Sequence, residues 1–206
     1  MSEQFDRISY ALGLSMGNNF RASGIESINV KDFADGVEAV FSAEPKLKMT
    51  YDEAKEEIRK YFTAMQERQQ AEAAKAGEQN RKLGEAYLAE NGKRPEVVTT
   101  ASGLQYEVIK EGTGAKPTAN DRVKVHYTGR LIDGTVFDDS VSRGEPASFG
   151  VTQVIPGWVE ALQLMSVGSK WRLHIPSALA YGPQGAGNVI GPDSTLIFDV
   201  ELLEIL

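Results

Sequence analysis

Residues 122–138 read Arg122-Val-Lys-Val-His-Tyr-Thr-Gly-Arg-Leu-Ile-Asp-Gly-Thr-Val-Phe-Asp138, and this stretch decides the fold of the C-terminal half. Apolar residues alternate with others as far as Tyr127, which is the period of a half-buried β-strand. The dipeptide Asp133-Gly134 then separates two apolar segments, and it is typical of a type I′ hairpin turn. The stretch therefore predicts two antiparallel strands joined by a tight turn.

The same period recurs on both sides of this hairpin. Three further segments alternate: residues 104–109, 170–175 and 195–205. A short helix is expected from Trp158 to Met165, because Pro156-Gly157 gives it a start. Many strands with one short helix indicate an α+β domain over residues 97–206, in which a curled antiparallel β-sheet wraps around that helix.

The N-terminal half has helical periodicity. A first helix is predicted from about Glu3 to Ala22, and a second is predicted to follow Asn29 as its N-cap and to stop before Pro45. Ser9, Gly13 and Gly17 recur every fourth residue in the first helix, where each glycine costs up to about 1 kcal/mol. Close approach of another helix would offset this cost.

Residues 1–46 are too few to bury a sufficient core alone. We therefore predict that they form a helical dimerisation region; packing against the C-terminal half of a monomer is the alternative. Residues 50–92 are predicted to form one linking helix, with a capping box of Thr50 and Glu53 and a stop at Asn91-Gly92. It would be about 60 Å long, and its polar middle is typical of a solvated connection between domains.

Composition excludes several classes of function. The chain has 206 residues and a net charge of -7, which argues against a nucleic-acid partner. It contains no cysteine, so thiolate nucleophiles and cysteine-ligated zinc are excluded. No segment approaches the roughly 18 apolar residues of a membrane span, so no membrane insertion is expected. No signal peptide is visible, which predicts a cytoplasmic location; a periplasmic one is the alternative if a leader has been removed.

Five motifs then occur in order, and they resemble the FK506-binding protein family of peptidyl-prolyl cis-trans isomerases. They read Val125-His-Tyr-Thr-Gly129, Gly134-Thr-Val-Phe-Asp138, Val154-Ile-Pro-Gly-Trp158, Ala180-Tyr-Gly182 and Leu196-Ile-Phe-Asp-Val-Glu-Leu-Leu203. The helical N-terminal layout is similar to the dimeric bacterial branch, the 22-kDa isomerases and macrophage infectivity potentiators. The resemblance implies an isomerase that speeds X–Pro rotation in folding proteins without a metal or cofactor, by desolvating the prolyl amide in an apolar pocket. It also implies proline-containing polypeptide clients, macrolide inhibitors such as FK506 or rapamycin, and chaperone-like binding by a V-shaped homodimer.

The resemblance also assigns site residues. The substrate-binding floor and walls would be Trp158 below, with Tyr127, Phe137, Phe149, Val154, Ile155, Ile190 and Phe198 around it. The Ile155 N–H and the Tyr181 hydroxyl would hold substrate carbonyls. Asp138, hydrogen-bonded to Tyr127, would polarise the site near the twisting bond. Ala147 and Gly191 depart from the commoner family pattern and are expected to thin one rim of the pocket.

Other interpretations remain beside this one. A non-catalytic chaperone or adaptor that binds proline-containing segments would use the same pocket, and the N-terminal half could instead anchor a specific partner protein. The glycine-rich loop 182–192 lacks the lysine and the following helix of a phosphate-binding loop. His126 and His174 are expected at the surface, with a structural role in each case, because two distant histidines make a poor metal site.

Overall fold

The computed structural model describes residues 5–44 and 46–206. Two compact units make up the chain, one extending to Phe62 and the other covering Thr63–Leu206. The division falls inside the longest helix. The helices of the N-terminal half are α1 (Arg7–Ala22), α2 (Val30–Phe41) and α3 (Tyr51–Asn91).

The helix starts follow from capping side chains. Asn29 accepts hydrogen bonds from two N–H groups of α2, and Thr50 and Glu53 bond each other's backbone at 2.8 and 3.2 Å, so both predicted caps are confirmed. The predicted start of α1 at Glu3 lies outside the described residues. Phe5 and Asp6 are not helical, which makes the predicted helix wrong at these positions. The reason is that the Asp6 carboxylate accepts from the Ser9 N–H at 2.7 Å and caps the helix there.

The C-terminal unit contains one antiparallel sheet among its described residues. Its strands are β1 (Val97–Thr99), β2 (Gln105–Lys110), β3 (Arg122–Leu131), β4 (Val136–Asp139), β5 (Ala147–Gly150), β6 (Lys170–Ile175) and β7 (Leu196–Ile205). They lie in the order β1-β2-β6-β7-β3-β4, and β5 pairs with β3. The helix α4 (Pro156–Leu164) packs on one face of the sheet. It begins two residues before the expected start at Trp158, because Pro156 takes a first-turn position, and it ends one residue before Met165. The predicted α+β fold is therefore confirmed.

The core lies between the sheet and α4. Leu162 and Met165 at the end of α4 meet strand residues such as Val125, Leu173 and Leu202, and all five are at most 1% exposed. Val125 pairs with Leu202 across β3 and β7, so both point at the helix. This packing fixes α4, and with it the residues at its N-terminal end.

The turn between β3 and β4 differs from the predicted one. A type I′ turn needs positive φ at both central residues, but Gly134 has a φ of 90° while Asp133 does not lie in that region. The Gly134 N–H donates to the Leu131 carbonyl, and Leu131 donates to Thr135. The prediction of type I′ is wrong: this is a three-residue loop in which glycine takes the left-handed position.

The last turns of α3 pack on the sheet, which the sequence did not predict. Gly77, Gly84 and Asn91 are buried, and Asn91 donates to the Gln105 side chain at 2.9 Å. His174 is 1% exposed, with its Nδ1 atom 2.6 Å from the Tyr87 hydroxyl. The expectation of a surface His174 is therefore wrong, because α3 covers its side of the strand. His126 is half-buried beside Ser140.

Candidate functional site

A cavity of about 620 Å³ opens between one face of the sheet, the start of α4 and the loop after β6. Fifteen residues line it: Tyr127, Phe137, Asp138, Phe149, Gln153, Val154, Ile155, Trp158, Tyr181, Ala186, Gly187, Asn188, Val189, Ile190 and Phe198. All ten site residues named from the sequence are in this set. The structure thus brings them to one place, although they come from four strands, one helix and two loops.

Trp158 forms the base of the cavity. It lies in the first turn of α4 and is 4% exposed. The rings of Tyr127, Phe149 and Phe198 stand at 87°, 89° and 84° to the indole plane, with centroid distances of 5.3, 6.0 and 5.3 Å. Edge-to-face contacts of this kind are favourable between aromatic rings. They make a flat floor with upright walls, a shape suited to a small apolar ring.

The wall at β3, β4 and β7 depends on a glycine. Gly129 pairs with Phe198 across the sheet, and Phe137 packs edge to face on Phe198 at 5.5 Å between centroids. A Cβ atom on Gly129 would lie 2.6 Å from carbon atoms of both rings. Glycine at this position therefore lets the two phenyl rings close over the strand.

Polar groups cluster at one side of the cavity. The Tyr127 hydroxyl donates to the Asp138 carboxylate at 2.5 Å, and the Arg143 guanidinium donates both to Asp138 and, at 3.3 Å, to the Tyr127 oxygen. The Arg143 guanidinium carbon also lies 5.8 Å from the centroid of the Tyr127 ring. Arg143 was not identified from the sequence, because it comes from the loop after β4 and no motif marks it.

These contacts fix the charges of the site. Burial alone would raise the pKa of Asp138, but the hydrogen bonds from Tyr127 and Arg143 outweigh it and hold that pKa below its usual value. Burial and the neighbouring carboxylate raise the pKa of Tyr127. At neutral pH Asp138 is therefore ionised and Tyr127 protonated.

Two backbone features also belong to the cavity lining. Ile155 is the N-cap of α4, and its N–H donates to no group within residues 5–44 and 46–206. The loop after β6 is closed by paired hydrogen bonds between Ala186 and Ile190, of 2.8 and 3.2 Å, which hold Ile190 against the cavity. Tyr181 is 40% exposed at the mouth. The Ile155 N–H and the Tyr181 hydroxyl are thus both available to a ligand in the cavity.

The two residues expected to thin one rim of the cavity, Ala147 and Gly191, lie outside its lining. Ala147 packs against the core from β5, opposite Val125, and Gly191 faces the Asn80 side chain of α3. Neither lines the cavity as the structure describes it. Sequence reasoning instead missed Gln153, in a short 3₁₀ turn before α4, and residues 186–189, in the loop before β7, because neither segment has a periodic pattern.

Within the described part of the chain, no three His, Asp or Glu side chains come together as a metal-binding group. Over the same residues, every helix is too short or too polar to cross a membrane.

Comparisons with known proteins show the family of the chain. Residues 113–203 match the family model described as FKBP-type peptidyl-prolyl cis-trans isomerase, and residues 5–108 match the domain amino terminal to it. The chain is 50% identical over 202 residues to the FKBP-type 22 kDa peptidyl-prolyl cis-trans isomerase of Escherichia coli, covering 96% of this chain and 94% of that protein. It is 45% identical over 200 residues to the outer membrane protein MIP of Legionella longbeachae, covering 97% and 85%.

Two solved structures are also similar to this chain. The crystal structure of FkpA from Escherichia coli superposes with a TM-score of 0.74 at 36% identity, covering 100% of this chain and 98% of that one. A peptidyl-prolyl cis-trans isomerase from Pseudomonas syringae pv. tomato gives a TM-score of 0.59 at 44% identity, covering 62% of this chain and 94% of that one.

Proposed function

The chain belongs to the FKBP-type peptidyl-prolyl cis-trans isomerases and is an isomerase of X–Pro bonds, and from this premise we propose that its cavity works by removing water from the prolyl amide. The observation that carries the proposal is the indole of Trp158 under three upright aromatic rings. A proline ring fits between such walls and is dehydrated on most sides.

The chemistry needs no nucleophile. Rotation about the peptide bond has a barrier of about 18–20 kcal/mol, because resonance gives the bond double-bond character. Water strengthens that resonance by hydrogen-bonding the charged carbonyl oxygen of the planar form. The twisted transition state has lost the resonance and is less polar. An apolar cavity therefore binds the twisted form better than the planar one, which lowers the barrier.

The polar groups would orient the substrate. We assign the Ile155 N–H and the Tyr181 hydroxyl to substrate carbonyls, which places the prolyl ring over Trp158. Asp138 would set the local field beside the rotating bond. Because Tyr127 and Arg143 already hold its carboxylate, Asp138 acts as a fixed charge. The same cavity would take macrolides such as FK506 or rapamycin, and its natural clients would be proline-containing polypeptides.

Refolding of a protein limited by prolyl isomerisation tests this proposal. Phe198→Ala removes a wall and Asp138→Val removes the fixed charge, so both should slow the catalysed phase, Phe198→Ala by about tenfold or more. Gln163→Ala, on the exposed side of the same helix α4, is the matched control and should keep full activity. If both pocket variants catalyse as fast as the control, the assignment of the cavity is wrong.

We also propose a homodimer through the N-terminal helices. None of the described residues up to Phe62 is buried, and α1 and α2 expose large apolar side chains. These include Ile8, Leu12, Val40 and Phe41, and Phe5 just before α1 is exposed as well. A Cβ on Gly13 or Gly17 would meet no atom within 4 Å, so the small-residue stripe of α1 is uncovered. A second copy would supply the cover that a unit of this size needs.

Mass measurement by light scattering tests the dimer. The intact chain should have twice its 22.5 kDa mass, and Gly13→Glu should reduce it to one chain by placing a charge in the seam. Glu72→Ala, on an exposed part of α3, should leave the mass unchanged. An intact chain of 22.5 kDa would refute the proposal.

Chaperone-like binding of unfolded chains would follow from two pockets carried by one dimer. Protection of a denatured client from aggregation should then depend on the dimer, whereas isomerase activity should not. Gly13→Glu should lose protection and keep isomerase activity. If protection survives in the monomer, the dimer is not what binds the client.

For the compartment, the comparisons do not support the expected cytoplasmic location, and one relative is named an outer membrane protein. We favour the periplasmic alternative, which cell fractionation with a full-length tagged chain would test.

A further inference from the structure

The helix α3 reaches the loop that forms one wall of the cavity. Gly77, Asn80 and Gly84 lie on one helix face, and the two glycines are buried. A Cβ on Gly84 would lie 2.2 Å from the Thr195 hydroxyl oxygen, and one on Gly77 would lie 3.1 Å from an Asp193 carboxylate oxygen. The backbone of α3 therefore approaches the turn 192–195 too closely for larger side chains.

Asn80 is the polar contact on that face. Its side-chain amide donates to the Pro192 carbonyl at 2.8 Å and lies 3.4 Å from the Ser194 hydroxyl. The Ser194 hydroxyl in turn donates to the Gly191 carbonyl at 2.9 Å. One half-buried amide thus holds two positions of the turn directly and a third through a hydroxyl.

This turn continues into the cavity wall. Gly191 directly follows Ile190, which is 9% exposed and lines the cavity. Asp193 has a φ of 52°, a conformation that a residue other than glycine rarely keeps without outside contacts, and its N–H donates to the Gly182 carbonyl at 2.8 Å. Both ends of the loop 182–193 are therefore tied together, and α3 contacts the end next to Ile190.

We propose that Asn80 is a positioning residue of the isomerase site: through Pro192 and Gly191 it fixes where the Ile190 wall stands. The inference rests on the proposed function of this cavity. It also accounts for Gly191, because a Cβ at that position would lie 3.1 Å from the Asn80 amide nitrogen. The space that a larger residue would occupy is taken by the side chain that holds the loop.

The expected effect is on substrate binding. Without the hydrogen bond, the loop samples positions in which the Ile190 wall is open. The apparent affinity for substrate then falls in proportion to the fraction of molecules whose wall is closed. One net hydrogen bond corresponds to an increase of about 3- to 10-fold in KM for Asn80→Ala. The rate constant at saturation should stay unchanged, because a bound prolyl ring closes the wall again.

The experiment uses the full chain and a proline-containing tetrapeptide, with kcat and KM determined separately. Asn80→Asp keeps the size of the side chain but turns the donor into an acceptor facing the Pro192 carbonyl, so its KM should rise at least as far as that of Asn80→Ala. Gln79→Ala changes the neighbouring amide, which is exposed, and should match the wild type. A lower melting temperature with an unchanged KM in both Asn80 variants would overturn the proposal.

A second pair of variants tests the contact itself. Gly191→Ala should raise KM in the wild-type background, where its Cβ presses on the amide, and should have little further effect when combined with Asn80→Ala. Additive effects would overturn the proposal. If the wild type does not isomerise the peptide, the proposed function fails; if the wild type is active and these variants keep its KM, only the role of Asn80 fails.

Discussion

Substituting Gly129 by alanine tests the shape of the cavity without changing any charge. The added Cβ would lie 2.6 Å from a carbon of Phe137 and 2.6 Å from a carbon of Phe198. Non-bonded carbons pack at about 3.5–4.0 Å, so each ring must withdraw by roughly 1 Å. Since the two rings already touch edge to face, neither can move without changing the wall.

Two magnitudes follow for Gly129→Ala. Overpacking of this kind destabilises a core by about 1–3 kcal/mol, which should leave the domain folded at room temperature. Activity should suffer more, because a displacement of about 1 Å near the reacting bond can cost on the order of 100-fold. We expect kcat/KM to fall at least tenfold.

The assay is proline-limited refolding with a matched overpacking control. A Cβ on Gly114 would lie 2.7 Å from the Val167 Cβ, and neither residue lines the cavity. Gly114→Ala should therefore lower the melting temperature to a similar extent while keeping kcat/KM. If Gly129→Ala stays within about twofold of the wild type, the tight aromatic wall does not control catalysis.

Three further predictions concern titratable groups. Because the pKa of Asp138 is lowered and that of Tyr127 raised, kcat/KM should be flat from about pH 6 to 9; a bell-shaped profile would show that one of them transfers a proton. Tyr127→Phe removes one of two hydrogen bonds to Asp138, so the pKa of Asp138 should rise in a carboxyl-carbon NMR titration, and an unchanged value would mean that Arg143 alone fixes the charge. Burial lowers the pKa of His174, so on acidification the unfolded chain binds a proton at this residue before the folded chain does. The free energy of unfolding should therefore fall as the pH drops below about 6.5, by at most about 1.4 kcal/mol per pH unit. In denaturant unfolding at pH 7 and pH 5, His174→Asn should reduce this loss and His126→Asn should keep it; equal losses would contradict the assignment.

Features set by neighbouring residues were predictable from the sequence. Alternation predicted β2, β3, β6 and β7, the capping box of Thr50 and Glu53 predicted the start of α3, and Pro156-Gly157 indicated the helix α4. Ten of the fifteen cavity-lining residues were named from the sequence, because five of its motifs resemble those of a known family and the resemblance implies that they form one site. For the strands and the helix starts, the signal and the structure it determines lie within a few residues of each other.

Features set by distant packing were not predictable. His174 alternates on its strand as a surface residue would, but it is buried beside Tyr87 of α3, which comes 87 residues earlier in the chain. The contact between Asn80 and Pro192 spans 112 residues and has no local pattern. Arg143 lies in the loop after β4, where no local pattern indicates its contact with Asp138. The polar middle of α3 correctly indicated a solvated helix, but gave no sign that its last turns pack on the sheet.

The arrangement of charge in the cavity predicts which substitutions should reduce catalysis most. Of the described residues that line the cavity, Asp138 alone carries a charge, and its hydrogen bonds to Tyr127 and Arg143 are already made. A carboxylate held in this way neither moves nor changes protonation when the prolyl bond rotates, so it contributes a constant field. The walls, by contrast, decide how completely water is excluded. Changes in wall shape, as in Gly129→Ala or Phe198→Ala, should therefore reduce kcat/KM more than the isosteric loss of charge in Asp138→Asn. The reverse order would mean that the field of the carboxylate, rather than dehydration, lowers the barrier.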